Sequence, residues 1–156
     1  MALLRAVGIP CRLYGTRVTK VFQRSLMPEI MAKLAPILIV HTWAEVFYNG
    51  EWLSLEGVIT DKAYISGLQK LFPEHKGKFF DYAVAVEDFQ NLQIEWDGGN
   101  TTVQQQAVVE DLDVFDTPDE FYSEYRQSYC GIKKFIYENI GKKNYDKKSC
   151  KNKKVS

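Results

Sequence analysis

Asn49-Gly50 lies between two runs of β-branched and aromatic residues, 37–48 and 51–59, and no other feature restricts the folding of this chain so closely. Both residues tolerate positive φ, so the dipeptide predicts a two-residue type I′ hairpin. A turn of that length sets the register: Tyr48 faces Glu51, Phe47 faces Trp52, Trp43 faces Glu56 and His41 faces Val58. Side chains alternate between faces, which places His41, Trp43, Glu45 and Phe47 together with Trp52, Ser54 and Glu56. Glu56 is then the diagonal neighbour of His41, with Cα atoms about 7 to 8 Å apart and a carboxylate–imidazole hydrogen bond in reach. Such a pair suits a general base, which needs a second group to fix its tautomer and stabilise its imidazolium form. A histidine in a sheet also serves commonly as a structural residue, and this pair has no nucleophile of its own.

Residues 2–7 are helix-forming and stop at Gly8-Ile9-Pro10, glycine suiting the left-handed cap and proline being unable to continue the helix. Nothing at Met1 acts as an N-cap, and so short a helix is unstable alone, so the expectation is the end of a longer helix that starts ahead of Met1. Residues 9–21 read as a strand. Met27-Pro28-Glu29 reads as a helix start, with Ile30, Met31 and Leu34 as its apolar stripe. Thr60 is the expected cap of a helix over 61–72 that buries Tyr64, Leu68 and Leu71. Residues 79–86 have strand character, and 87–115 read as polar loop with short strands. Thr117-Pro118-Asp119-Glu120 combines an N-cap, proline in the first turn and a capping-box glutamate. Ile132, Phe135, Ile136 and Ile140 make the stripe of a last helix.

With 156 residues, 46% of them hydrophobic, the chain suffices for one core, and the expected organisation is a domain over 1–140 and a disordered lysine-rich tail over 141–156. Twenty basic side chains balance twenty acidic ones, yet the tail carries a net +6 and residues 1–140 a net −6. No aromatic platform or nucleic-acid motif accompanies the lysines, so a solvated terminus is expected and nucleic acid is not an expected partner, with an anion-binding arm as the alternative. No apolar run approaches the ~20 residues of a membrane-spanning helix. Cys11, Cys130 and Cys150 are odd in number and lack CxxC spacing, against a disulfide framework or a zinc site, and no metal or organic cofactor is expected. The first residues lack the pattern of a signal peptide, so the default localisation is cytoplasmic. His75, in Pro73-Glu74-His75-Lys76-Gly77, reads as part of an exposed turn.

The run Ala2-Leu3-Leu4-Arg5-Ala6-Val7-Gly8-Ile9-Pro10-Cys11-Arg12, followed by His41-Thr42-Trp43-Ala44-Glu45-Val46, Asn49-Gly50-Glu51-Trp52 and Leu53-Ser54-Leu55-Glu56, resembles in order and spacing the core of the transglutaminase-like superfamily over about residues 2–60. The resemblance implies a papain-like α+β fold, an antiparallel sheet packed with helices. It also implies a Cys-His-Asp triad of the kind that cysteine proteases, amidases and acyltransferases use on protein or peptide amides. By the matching motifs His41 is the general base, and the triad acid falls on Glu56, one methylene longer than the family's aspartate. The family nucleophile stands near the start of the helix ending in Leu3-Leu4-Arg5, roughly two turns before Met1. None of the three cysteines matches it by motif, and Cys11 is expected to be a packed thiol. Read this way, the chain keeps the histidine and the acid and is expected to be inactive as it stands. A noncatalytic binding module with the same fold is the alternative. The rest of the chain resembles the C-terminal portion of bacterial members.

Overall fold

The computed structural model describes residues 1–26, 28–56, 62–92 and 95–126. The expected last helix with Ile132 to Ile140, the cap Thr60, Val58, Cys130, Cys150 and the lysine-rich 141–156 lie outside the described residues. In chain order come α1 (Ala2–Ala6), β1 (Cys11–Thr19), a 3₁₀ segment (Lys20–Leu26), α2 (Glu29–Leu34), β2 (Leu38–Tyr48), β3 (Glu51–Leu55) and α3 (Lys62–Leu71). Then follow β4 (Phe79–Asp81), β5 (Val84–Val86), a second 3₁₀ turn (Gln105–Ala107), β6 (Val108–Phe115) and α4 (Pro118–Glu124). The fold is α+β: one antiparallel sheet in the order β3-β2-β1-β6, and a β4-β5 hairpin apart from it.

The hairpin forms as its turn dictates. Asn49 and Gly50 take φ of 50° and 90°, and the ladder runs in register from Tyr48–Glu51 to Ala44–Leu55. In an antiparallel pair every second residue points its backbone away from its partner. On the outer edge of β3 those groups are met by a later stretch of chain. Ser54 N donates to Asn100 Oδ1 at 2.7 Å, Thr101 N to Ser54 O at 2.9 Å and Glu56 N to Thr101 O at 3.0 Å. Residues 100–104 are thereby docked beside the end of β3.

The two faces of the sheet bury different partners. Cys11, Val46 and Leu53 pack against Met1 and Leu4 of the α1 segment, and Leu13 and Phe115 against Phe121 of α4. Helix α1 ends in a Schellman arrangement: Gly8 has φ of 78°, its N–H donates to Arg5 O, and Ile9 N donates to Leu4 O. At α4, Thr117 Oγ1 accepts from Glu120 N at 3.1 Å, while the Glu120 carboxylate reaches back to Asp116 N, one residue beyond the Thr117 N–H of the usual capping box. Val18, one strand-residue pair on, belongs to the other face, where it packs with Phe22, Ala85 and Ala107. Beyond these lies a larger cluster of Ile65, Leu68, Phe79, Val84, Val86, Phe89 and Val103.

Four expectations need correction. The stripe of α3 is centred on Ile65 and Leu68 with Tyr64 and Phe72 beside them, and rotation by one position turns Leu71 outward to 70% exposure. Residues 79–86 are two strands joined by Tyr82 and Ala83 at φ of 52° and 59°, a turn without glycine. Tertiary bonds hold that costly backbone: Tyr64 Oη donates to Tyr82 O and Ala83 N to Phe22 O. The polar stretch 87–115 ends in an eight-residue strand, β6, whose Glu110, Asp111 and Asp113 charge a sheet edge. His75 is half-buried, its ring edge-on to Phe79 and Phe89 and its Nε2 at 2.6 Å from Lys78 O.

Gly15 lies where β1 passes under α4, and a Cβ there would stand 2.5 Å from the Phe121 ring. Gly15→Ala is expected to lower unfolding free energy by about 1 to 3 kcal/mol in chemical denaturation, because Phe121 is fully buried and cannot yield freely. Burial alone would raise the pKa of Asp81, but bonds from the Ser25 hydroxyl and from the backbone N–H of Tyr82 and Ser25 outweigh it and hold the carboxyl below its ordinary value. A depressed folded pKa means that this stabilisation is full above the unfolded carboxylate's value of about 3.9 and fades as pH falls through the folded one. In Asp81→Asn, stability should therefore decline less between neutral pH and about pH 3 than in the wild type, as read from denaturation midpoints.

Candidate active site

His41 stands on β2 opposite Thr16 of β1, where the sheet meets the β4-β5 side of the molecule. Thr16 is fully buried and its hydroxyl donates to His41 O at 3.3 Å, which ties down the backbone under the imidazole. His41 Nε2 lies 3.0 Å from Glu56 Oε1, the histidine side chain being 23% exposed and that of Glu56 only 4%. The other carboxylate oxygen, Oε2, accepts from Val103 N at 2.6 Å and Gln104 N at 2.9 Å. A buried carboxylate persists only when donors surround it, and here three do. With Nε2 given to Glu56, Nδ1 is the nitrogen left to take up or deliver a proton.

Aromatic rings continue from His41 along the same face. Trp43 is tilted against it with centroids 5.8 Å apart, fixed by an Nε1 bond to Ser54 Oγ at 3.1 Å and stacked on Tyr14 at 4.9 Å. Burial, together with the Asp111 carboxylate to which it is hydrogen-bonded and the charge of Glu45, raises the pKa of the Tyr14 phenol, against a smaller opposing effect of Arg12. Tyr14 is thus a neutral donor at physiological pH. Further out, Arg12 pairs with the buried Glu45 at 2.6 Å and lies 4.1 Å over Trp52, which in turn leans on Phe47.

Cys11 is elsewhere. It is partnered with Val46, so it points to the α1 side of the sheet while His41 points to the other. Five strand positions, about 16 Å, separate it from Thr16, the residue opposite His41. Its Sγ packs in the core, 3.6 Å from Met1 O. Among the described residues no three His, Cys, Asp or Glu side chains converge in a metal-binding group. A cavity of about 200 Å³ lined by Glu87, Asp88, Asn91, Asn100 and Thr102, among others, includes neither His41 nor Glu56.

His41 and Glu56 were visible from the hairpin register. The Val103 and Gln104 groups were not: they act through backbone N–H, which every residue but proline carries, so no residue type marks them.

Residues 1–57 match the family model described as the transglutaminase-like superfamily. Over that stretch the chain is similar to the transglutaminase-like superfamily. No curated protein and no solved structure gave a significant match. The α+β fold with its antiparallel sheet is consistent with a transglutaminase-like core. Among the described residues, no helix is long and apolar enough to cross a membrane.

Removing the carboxylate would leave two buried N–H groups and the imidazole without their acceptor. Glu56→Ala is expected to cost about 3 kcal/mol or more in urea denaturation. Glu56→Gln, which retains one acceptor oxygen for the amides, should cost less than Glu56→Ala.

Proposed function

We propose that this domain is of cysteine amidase or acyltransferase lineage, acting on protein or peptide amides through a thioester, with His41 as general acid–base and Glu56 as its orienting acid. The observation that carries the reading is the 3.0 Å contact between His41 Nε2 and a Glu56 carboxylate held on its other oxygen by two amides. A triad of this kind needs the imidazole fixed in one tautomer, with the opposite nitrogen open toward a thiol. His41 Nδ1 takes the thiol proton as sulfur attacks the carbonyl carbon. It then returns that proton to the leaving amine, and water or a second amine resolves the thioester.

Among the described residues no thiol faces His41. Cys11 faces away from His41, and Cys130 and Cys150 do not fit the family motif. By the family's motif order the nucleophile belongs near the start of the helix that ends in Leu3-Leu4-Arg5, and the 156-residue chain alone is expected to have negligible amidase or transglutaminase activity. The second reading, a noncatalytic binding module, draws on the exposed aromatics beside the site, Phe47 and Trp52 at 42% and 38%.

The experiment has two arms. The purified 156-residue protein is treated with a chloroacetamide probe alongside His41→Ala, and labelling should be the same in both. His41-dependent labelling of Cys11, Cys130 or Cys150 would overturn the assignment of the thiol. The codons upstream of Met1 are then read: an in-frame cysteine about two turns earlier supports the catalytic lineage, whereas an in-frame stop leaves the binding module.

A further inference from the structure

Glu56 is longer by one methylene than the aspartate expected at its position, and the extra reach has a visible destination. Its Oε2 is met by two successive backbone N–H groups, of Val103 and Gln104, which together form a small anion-binding concavity. That concavity is only as firm as the peptide that forms it. On one side Val103 O accepts from Ala85 N at 2.8 Å, and Val103 itself is fully buried. On the other side the Gln104 side chain donates from Nε2 to Ala83 O at 3.0 Å. Ala83 sits at φ of 59° in the β4-β5 turn, a conformation held in place by its own N–H bond to Phe22 O. Gln104 therefore joins the acid to the turn: its main chain binds Glu56 and its amide binds the turn carbonyl.

Building on the pairing of His41 and Glu56 proposed above, we infer that Gln104 is a positioning residue, whose side chain holds the 103–104 amides on Glu56 and thereby keeps the imidazole of His41 in the Nε2–H tautomer. Glu56 has two oxygens and its three donors share them. If the amides drift, the carboxylate turns to follow them or to meet water, and its bond to His41 loosens. Gln104 touches neither the imidazole nor any reacting atom, so its effect is read at His41.

The chain has only two histidines, which makes the test direct. Protein labelled with ¹⁵N-histidine is compared as wild type, Gln104→Ala and Gln104→Glu by long-range ¹H–¹⁵N correlation, with His75→Gln supplying the assignment. The wild type should show His41 as the Nε2–H tautomer with a protected Nε2 proton. In both Gln104 variants that proton should exchange about fivefold faster, the factor corresponding to loss of one neutral side-chain hydrogen bond, and the Nδ1–H tautomer should appear. His75 should be unchanged, since its Nε2 contact is to Lys78 O. A merely structural Gln104 would lower the melting temperature and leave the His41 tautomer alone, and that result overturns the inference. So does a wild-type His41 in the Nδ1–H form. Should Gln104→Ala fail to fold, Gln104→Met, which keeps the stem without the amide donor, is read by the same criteria. Because no turnover is measured, failure here leaves the cysteine chemistry standing, and failure of that chemistry leaves this result standing.

Discussion

Burying a carboxylate to 4% exposure is costly unless donors replace the water it loses, and the surroundings of Glu56 are built to supply them. One donor comes from β2, through His41, and two from the stretch that follows Thr101. The carboxylate thus fastens three pieces of chain far apart in sequence: the central part of the sheet, the end of β3, and the 100–104 segment that runs back toward β5. The backbone bridge between Leu55 and Thr101 and the Asn100 bond to Ser54 act in the same direction. The sheet and the β4-β5 side meet at this group, so the position of the imidazole is a consequence of how the whole second cluster packs.

The sheet separates its two duties by face. Toward α1 and α4 it presents Cys11, Leu13, Val46 and the bare Cα of Gly15, a dry surface that lets Phe121 approach closely. Toward the other side it presents Arg12, Tyr14, Trp43 and Glu45, side chains with an apolar body and a polar tip, next to His41. Alternation along a strand makes this division unavoidable once one face is buried, and it settles the role of Cys11 as packing, whatever its reactivity in solution. The aromatic contacts near His41 have the same origin: residues two apart on β2, and residues opposite each other across a pair, are brought together by the pleat.

Much of the sheet was legible from local chemistry. Asn49-Gly50 carried the hairpin and its register, Gly8-Ile9-Pro10 the end of α1, and Thr117-Pro118-Asp119-Glu120 the start of α4, since each rests on bonds within a few residues. The readings that failed depended on distant partners. Tyr82 and Ala83 have no intrinsic reason to turn, and they do so because Tyr64 and Phe22 take up their backbone groups. β6 is an acidic segment that β1 recruits as an edge, and His75 is drawn under Phe79 and Phe89 by rings it could not anticipate from its own turn.

At the site the same boundary holds. The sequence by itself determined that His41 and Glu56 share a face and lie on a diagonal, because a two-residue turn and a period of two leave no freedom in the matter. It also carried the likeness to the transglutaminase-like superfamily, through motifs that lie within residues 1–57. Only the tertiary structure decided that the carboxylate reaches Nε2, that its second oxygen is bound by Val103 and Gln104, and that Cys11 lies on the far side of the sheet. The physical reason is that backbone N–H groups are nearly the same at every residue. Which of them converge on a buried charge is set by the packing of residues more than forty positions away, and no local pattern encodes it.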